Sequence, residues 1–145
     1  MEPIVNRKAY FDYEVVDTYE AGIVLLGHEV KAVRAGKVGI VGSYAKVYAD
    51  EVWLVNATIS PYQEKNTPAD YDQKRARKLL LKQEEIKELI GKTKEKGYTL
   101  VPLKLYANRG RIKVELALCK SKKKYDKREV IKERETKRTL KRFIK

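Results

Sequence analysis

The chain has 145 residues, with 33 Lys or Arg against 20 Asp or Glu and a formal charge of +13, which excludes an acidic solvating protein and makes a polyanion the first partner to expect. The length suits one domain around one core. No apolar run reaches the roughly 20 residues that span a bilayer, residues 1–5 do not open a secretory signal, and the lone Cys119 and lone His28 leave neither a disulfide nor a Cys/His cluster for a metal, so a cytoplasmic protein without metal or cofactor is expected.

Alternation and β-branched content predict strands over residues 10–16 and 22–26. A short helix follows over 27–35, where Val30, Val33 and Arg34 are helically spaced and Gly36 can end the turn. Strands over 43–48 and 52–57 flank the short connection Ala49-Asp50-Glu51, which reads as a hairpin. A longer helix is predicted over 73–90, with Asp72 as its cap, Gly91 at its end and an apolar face of Ala76, Leu79, Leu80, Ile86, Leu89 and Ile90. A single helical turn over 93–96 precedes strands over 98–106 and 111–119, joined at Asn108-Arg109-Gly110 as a second hairpin. The expected fold class is mainly β. Short antiparallel strands close into a small barrel that leaves no exposed edges, with about three peripheral helices, in a domain of residues 1–119.

Residues 120–145 differ in kind. They hold 13 Lys or Arg against 4 Asp or Glu, a surplus of nine, and few strongly apolar side chains, so this basic tail is expected to be disordered when free. It contains no Gly or Pro, Glu133 and Lys137 form a favourable i,i+4 pair, and Leu140, Phe143 and Ile144 fall at helical spacing. The tail therefore reads as a helix awaiting an anionic partner.

Reacting groups are scarce. His28 and Glu29 are adjacent, so on a helix they point about 100° apart and cannot form a simple dyad. Cys119 at a strand end reads as a small core residue. The glycines at 36, 39 and 42 do not fit a dinucleotide or phosphate-loop fingerprint. Strand alternation separates Asp12 and Glu14 from Asp17, which argues against a metal site. An enzyme is not expected. Cations and aromatics are abundant, although Tyr13, Tyr44, Tyr48, Trp53 and Tyr106 lie on strand patterns and are expected in the core. The basic clusters are Lys31, Arg34 and Lys37 around the short helix, and Arg75, Arg77 and Lys78 at the start of the long one, where the helix dipole adds positive potential. Two clusters and the tail together suit a large structured RNA.

Several strings carry a resemblance: Asn6-Arg7-Lys8-Ala9-Tyr10, residues 21–37 with Gly27-His28-Glu29-Val30-Lys31, Arg77-Lys78-Leu79-Leu80-Leu81, residues 97–103, and Lys122-Lys123-Lys124-Tyr125-Asp126-Lys127-Arg128-Glu129. In order and over nearly the whole chain, they resemble the small protein B family, the SsrA-binding proteins. The resemblance implies an oligonucleotide-binding-type barrel that binds transfer-messenger RNA and, with elongation factor Tu, takes it to stalled bacterial ribosomes. It implies no catalysis. Carried over to this sequence, Asn6, Lys8, Glu29, Lys31 and Arg34, with His28 adjoining, grip the transfer-RNA-like domain. The resemblance also places Asp126-Lys127-Arg128 by the small-subunit decoding centre and Tyr125 on a base there. The rest of the tail, including Lys132 and Arg134, becomes a helix in the empty messenger channel. Ser121, Lys82 and Thr136 depart from the family pattern, where glycine, histidine and tryptophan are common. A monomer is expected; a general single-strand RNA chaperone and a resident ribosomal protein are the competing readings.

Overall fold

In a computed structural model describing residues 1–122 apart from 64 and 66, the chain begins with β1 (Ile4–Val5), α1 (Arg7–Asp12), β2 (Tyr13–Ile23) and α2 (Gly27–Arg34). It continues through β3 (Val38–Gly39), β4 (Tyr44–Tyr48), β5 (Glu51–Val55), β6 (Thr58–Ile59), β7 (Arg77–Leu80), α3 (Gln83–Thr93), β8 (Tyr98–Asn108) and β9 (Arg111–Ser121). The expected tail helix and its residues from Lys123 and Lys124 through Tyr125, Asp126, Lys127 and Arg128 to Lys132 and Arg134 lie outside the described residues.

All strand pairings are antiparallel. The larger sheet runs β1-β8-β4-β5-β7-β2-β9, and β9 also pairs with β8, so six of its strands form a ring in which each has two neighbours, with β1 added beside β8. Closure satisfies the backbone groups that an open sheet would leave at its edges. Inward positions come from alternate residues: Val52 and Leu54 on β5, Leu79 on β7, Val114, Leu116 and Leu118 on β9, all within 1 % of full burial. The helix α2 adds Ala32 and Val33 to this core and α3 adds Leu89. A second, smaller cluster of Ala9, Val101, Leu103, Ala117 and Cys119 lies under α1. Burial pushes the Cys119 thiol up to about 11, in keeping with its expected place as a core residue.

The two hairpins form as expected. Tyr48 pairs with Glu51 across Ala49-Asp50, and Asn108 pairs with Arg111 across Arg109-Gly110. Gly36, at φ 78°, ends α2 in the left-handed conformation. Several expectations are corrected. Residues 10–12, expected to start a strand, instead end α1 (Arg7–Asp12), because Asn6 caps that helix: its Oδ1 accepts from the Ala9 N–H at 3.2 Å. The two strands expected over 10–16 and 22–26 are one long β2, bulged between Val15 and Asp17, so simple alternation does not govern Asp12, Glu14 and Asp17.

The largest correction concerns the predicted helix over 73–90. Residues 77–80 are strand β7, paired with β5 and β2, and α3 starts at Gln83. Gly91 lies within α3, and the helical turn expected over 93–96 does not form: Thr93 is the last residue of α3 and residues 94–96 are turn and bend. The apolar spacing of Ala76, Leu79 and Leu80 imitated a helical face. The true period is two, and it was hidden because the inward residue preceding Leu79 is Arg77. The strand aromatics also differ from expectation: Tyr44 and Tyr48 are exposed, while Tyr13, Trp53 and Tyr106 are half-buried on the outside of the ring. Alternation on their strands turns Ala45, Val52 and Leu54 inward and so puts these aromatics on the opposite face, while Tyr19 on β2, paired with inward Leu116, is an aromatic that does reach the core. Finally, β9 runs on to Ser121, so the first two residues assigned to the tail are strand.

Candidate nucleic-acid interface

The centre of the site is a carboxylate inside the protein. Glu29 is the third residue of α2, and its Oε1 accepts from the Leu26 N–H at 2.9 Å, closing the first turn of the helix. Its side chain has no exposed surface. Oε1 also accepts from Arg75 Nη2. Oε2 accepts from the Tyr71 hydroxyl at 2.7 Å, Arg77 Nε at 3.0 Å and Arg77 Nη2 at 2.5 Å. Arg77 is fully buried and spends its remaining donors on the Ala57 carbonyl at 2.7 Å, the Gln73 carbonyl at 3.0 Å and the Tyr71 hydroxyl oxygen at 3.0 Å. Burial alone would raise the Glu29 carboxyl, but hydrogen bonds from Arg75, the Leu26 N–H, Tyr71 and Arg77 outweigh it and hold the group down at about 2. Burial and the Glu29 contact push the Tyr71 hydroxyl up to about 12. The network locks α2, β7 and the segment around Tyr71 into one unit, since separating any of them strands a buried charge.

Three sequence-expected binding residues are therefore interior. Glu29 and Arg77 neutralise one another. Asn6, only 2 % exposed, caps α1 and donates Nδ2 to the carbonyls of Pro102 at 3.0 Å and Ile40 at 3.4 Å. Arg77 cannot be a surface cation, and the helix-start argument for Arg75, Arg77 and Lys78 falls with the helix itself. Arg75 is partly exposed but committed to Glu29. Lys78 is half-buried on β7 and lies 3.5 Å from the Glu51 carboxylate. His28 packs edge-on against Tyr71, with ring centroids 4.6 Å apart.

The cations displayed outward are those on and after α2. Lys31, Arg34 and Lys37 are exposed, Arg34 donates Nη2 to the Gly110 carbonyl at 2.9 Å, and Lys37 reaches the Tyr62 carbonyl at 3.4 Å and its ring face at 5.7 Å. Lys31 and Arg34 lie in the last turn of α2, where cations complement the helix dipole. Lys8 is also exposed, but it borders a separate cleft of about 400 Å³ between α1, β4 and β8. At the start of the tail, half-buried Lys122 donates its N–H to the Asp12 carbonyl at 3.3 Å and places Nζ 5.7 Å from the Phe11 ring. Sequence reasoning missed Tyr71. It lies in a stretch without periodicity, and its role comes from meeting Glu29 across 42 residues.

These features define a class: a mainly β protein whose strand ring carries a helix anchored by a buried ion network and turned cation-outward. The chain belongs to the SmpB protein family, which it matches over residues 3–145. It is 56% identical over 140 residues to an SsrA-binding protein of Geobacillus sp. (strain WCH70), covering 97% of this chain and 90% of that protein. It is 53% identical to the SsrA-binding protein of Cupriavidus necator, over 97% and 93% of the two chains. Its fold is similar to a solved chain at 49% identity and a TM-score of 0.70, covering 86% of this chain and 87% of that one, from a structure described as "tmRNA-SmpB: a journey to the center of the bacterial ribosome".

Proposed function

We propose that this protein binds the transfer-RNA-like domain of transfer-messenger RNA and accompanies it to stalled ribosomes in trans-translation. The observation that carries the reading is the family match along the whole chain, which covers both the anchored helix α2 and the basic tail. In this reading Lys31, Arg34, Lys37 and Lys8 meet the RNA. Asn6, Glu29, Arg75 and Arg77 act from beneath the surface, by holding α1 and α2 in position, and His28 braces Tyr71. Lys78 lies on the ring's outer face as an auxiliary cation. The ring serves as an oligonucleotide-binding-type barrel, and its action is binding without catalysis.

The tail divides the labour. Residues 123–145 supply the cationic segment that probes the small-subunit decoding centre and the messenger channel, with Asp126-Lys127-Arg128 nearest the decoding bases and Lys132 and Arg134 along the channel. Occupancy by messenger and by the tail exclude one another, which makes the tail a sensor of the stall. The protein acts in the cytoplasm as a monomer, with elongation factor Tu contacting the RNA it carries. A competition experiment tests the reading: a complex with the transfer-RNA-like domain should survive a large excess of unstructured RNA. Displacement by that excess assigns a sequence-tolerant RNA chaperone instead.

A further inference from the structure

The hairpin joining β8 to β9 turns on Arg109 and Gly110, and Arg109 is held at φ 52°. Such a turn position favours Asn, Asp or Gly, and a long cationic side chain there is a local compromise that points to a use. Arg111 and Lys113 follow on the outer face of β9, about 7 Å apart along the strand, while Ile112 and Val114 turn inward. Among the described residues no carboxylate pairs with Arg109, Arg111 or Lys113. The neighbouring acids are engaged elsewhere: Glu20 accepts from the Tyr106 hydroxyl at 2.6 Å, and Glu115 lies 3.6 Å from Lys104. The three cations border a cleft of about 670 Å³ that Asn108 and the Glu20 carboxylate also line, leaving cations in excess there, and Arg111 and Lys113 also border one of about 290 Å³ that Arg34 lines. The hydrogen bond from Arg34 to the Gly110 carbonyl ties the end of α2 to the hairpin tip.

We infer that Arg109, Arg111 and Lys113 extend the α2 surface into a second contact for the phosphate backbone of a folded RNA. The spacing of Arg111 and Lys113 allows each to take its own phosphate on one strand. The strip reads backbone in preference to bases, because the nearby Tyr106 ring is covered by Lys104 Nζ at 5.4 Å and its hydroxyl is committed to Glu20. This inference rests on the RNA-binding reading above.

The full-length protein should be compared with R109N/R111Q/K113Q and with a control of equal charge change on and after α3, K87Q/K94Q/K96Q. Asn is chosen at 109 because it tolerates the left-handed backbone. Binding to the transfer-RNA-like domain is followed by fluorescence anisotropy over a range of salt, with thermal unfolding confirming that each variant is folded. The hairpin variant is expected to bind at least about tenfold more weakly at low salt, with a slope of log K against log[salt] shallower by about 2, and the control to stay near the unaltered protein. A hairpin variant with the unaltered slope, or a control that loses as much, overturns the inference while leaving the RNA-binding reading in place. An unaltered protein with no preference for this RNA removes both.

Discussion

Glu29 shows how an acidic residue can organise a cationic surface without reaching it, for its side chain has no exposed area. Its carboxylate faces two guanidinium groups and a tyrosine hydroxyl, and it sets where Lys31 and Arg34 emerge. Since its folded value of about 2 lies below the 4.5 of an unperturbed glutamate, the carboxylate contributes stability fully above about pH 4.5 and loses it as pH falls toward about 2. A difference of that size amounts to ~3 kcal/mol at neutral pH. Glu29→Gln should lower stability by about 3 kcal/mol or more, because Arg77 is left buried without its counter-charge, and should flatten the acid limb of the stability curve; urea unfolding between pH 2 and 7 measures both. A variant with an unchanged acid limb would show that other groups govern it. Asn6→Ala removes the cap of α1 and leaves the Pro102 carbonyl without its donor, for an expected loss of ~2 kcal/mol by the same measurement.

Among the elements, β9 decides where the tail can be cut. Lys120 and Ser121 pair with Glu14 and Tyr13 of β2, and the Lys122 N–H meets the Asp12 carbonyl. Ending the chain after Lys122 should leave the body folded and its affinity for the transfer-RNA-like domain largely intact, while activity on stalled ribosomes in a reconstituted translation assay is lost. Ending it after Cys119 removes strand pairs as well and should lower the unfolding midpoint. If the longer truncation product lost nearly all RNA affinity, the division of labour between ring and tail would be wrong. The helix α2 is the other decisive element. Its exposed cations come from a short helix that isolated peptides would hardly sustain, so its geometry depends on the ion network beneath it.

For the molecule as a whole, the surplus of nine positive charges in residues 120–145 leaves a surplus of only four for residues 1–119. On the proposed reading, recognition by the body rests on placement more than on total charge. Lys31→Ala and Arg34→Ala should each weaken binding to the transfer-RNA-like domain and reduce its salt slope by about 0.7–0.9, one phosphate contact apiece. Arg34→Ala also releases the tether to Gly110, so its effect should exceed that of Lys31→Ala. Equal effects would mean that the tether plays no part in presenting the surface.

The hairpins, the end of α2 at Gly36 and the basic tail were legible in the residues because each follows from local chemistry: short polar turns, a glycine at positive φ, uncompensated charge. The mainly β character followed from alternation. What the residues alone concealed was every feature that depends on a distant partner. Residues 77–80 look helical until Arg77 is seen facing inward, and an inward arginine makes sense only once Glu29, 48 positions earlier, stands against it. Asn6 likewise gives no hint that it reaches Pro102 across 96 residues. Composition and periodicity determined that this is a basic, strand-rich binding protein with a cationic tail. Tertiary structure decided which charges are spent inside and which remain on the surface, because a charge acts on its nearest neighbours in space, and only the closed ring brings those neighbours together.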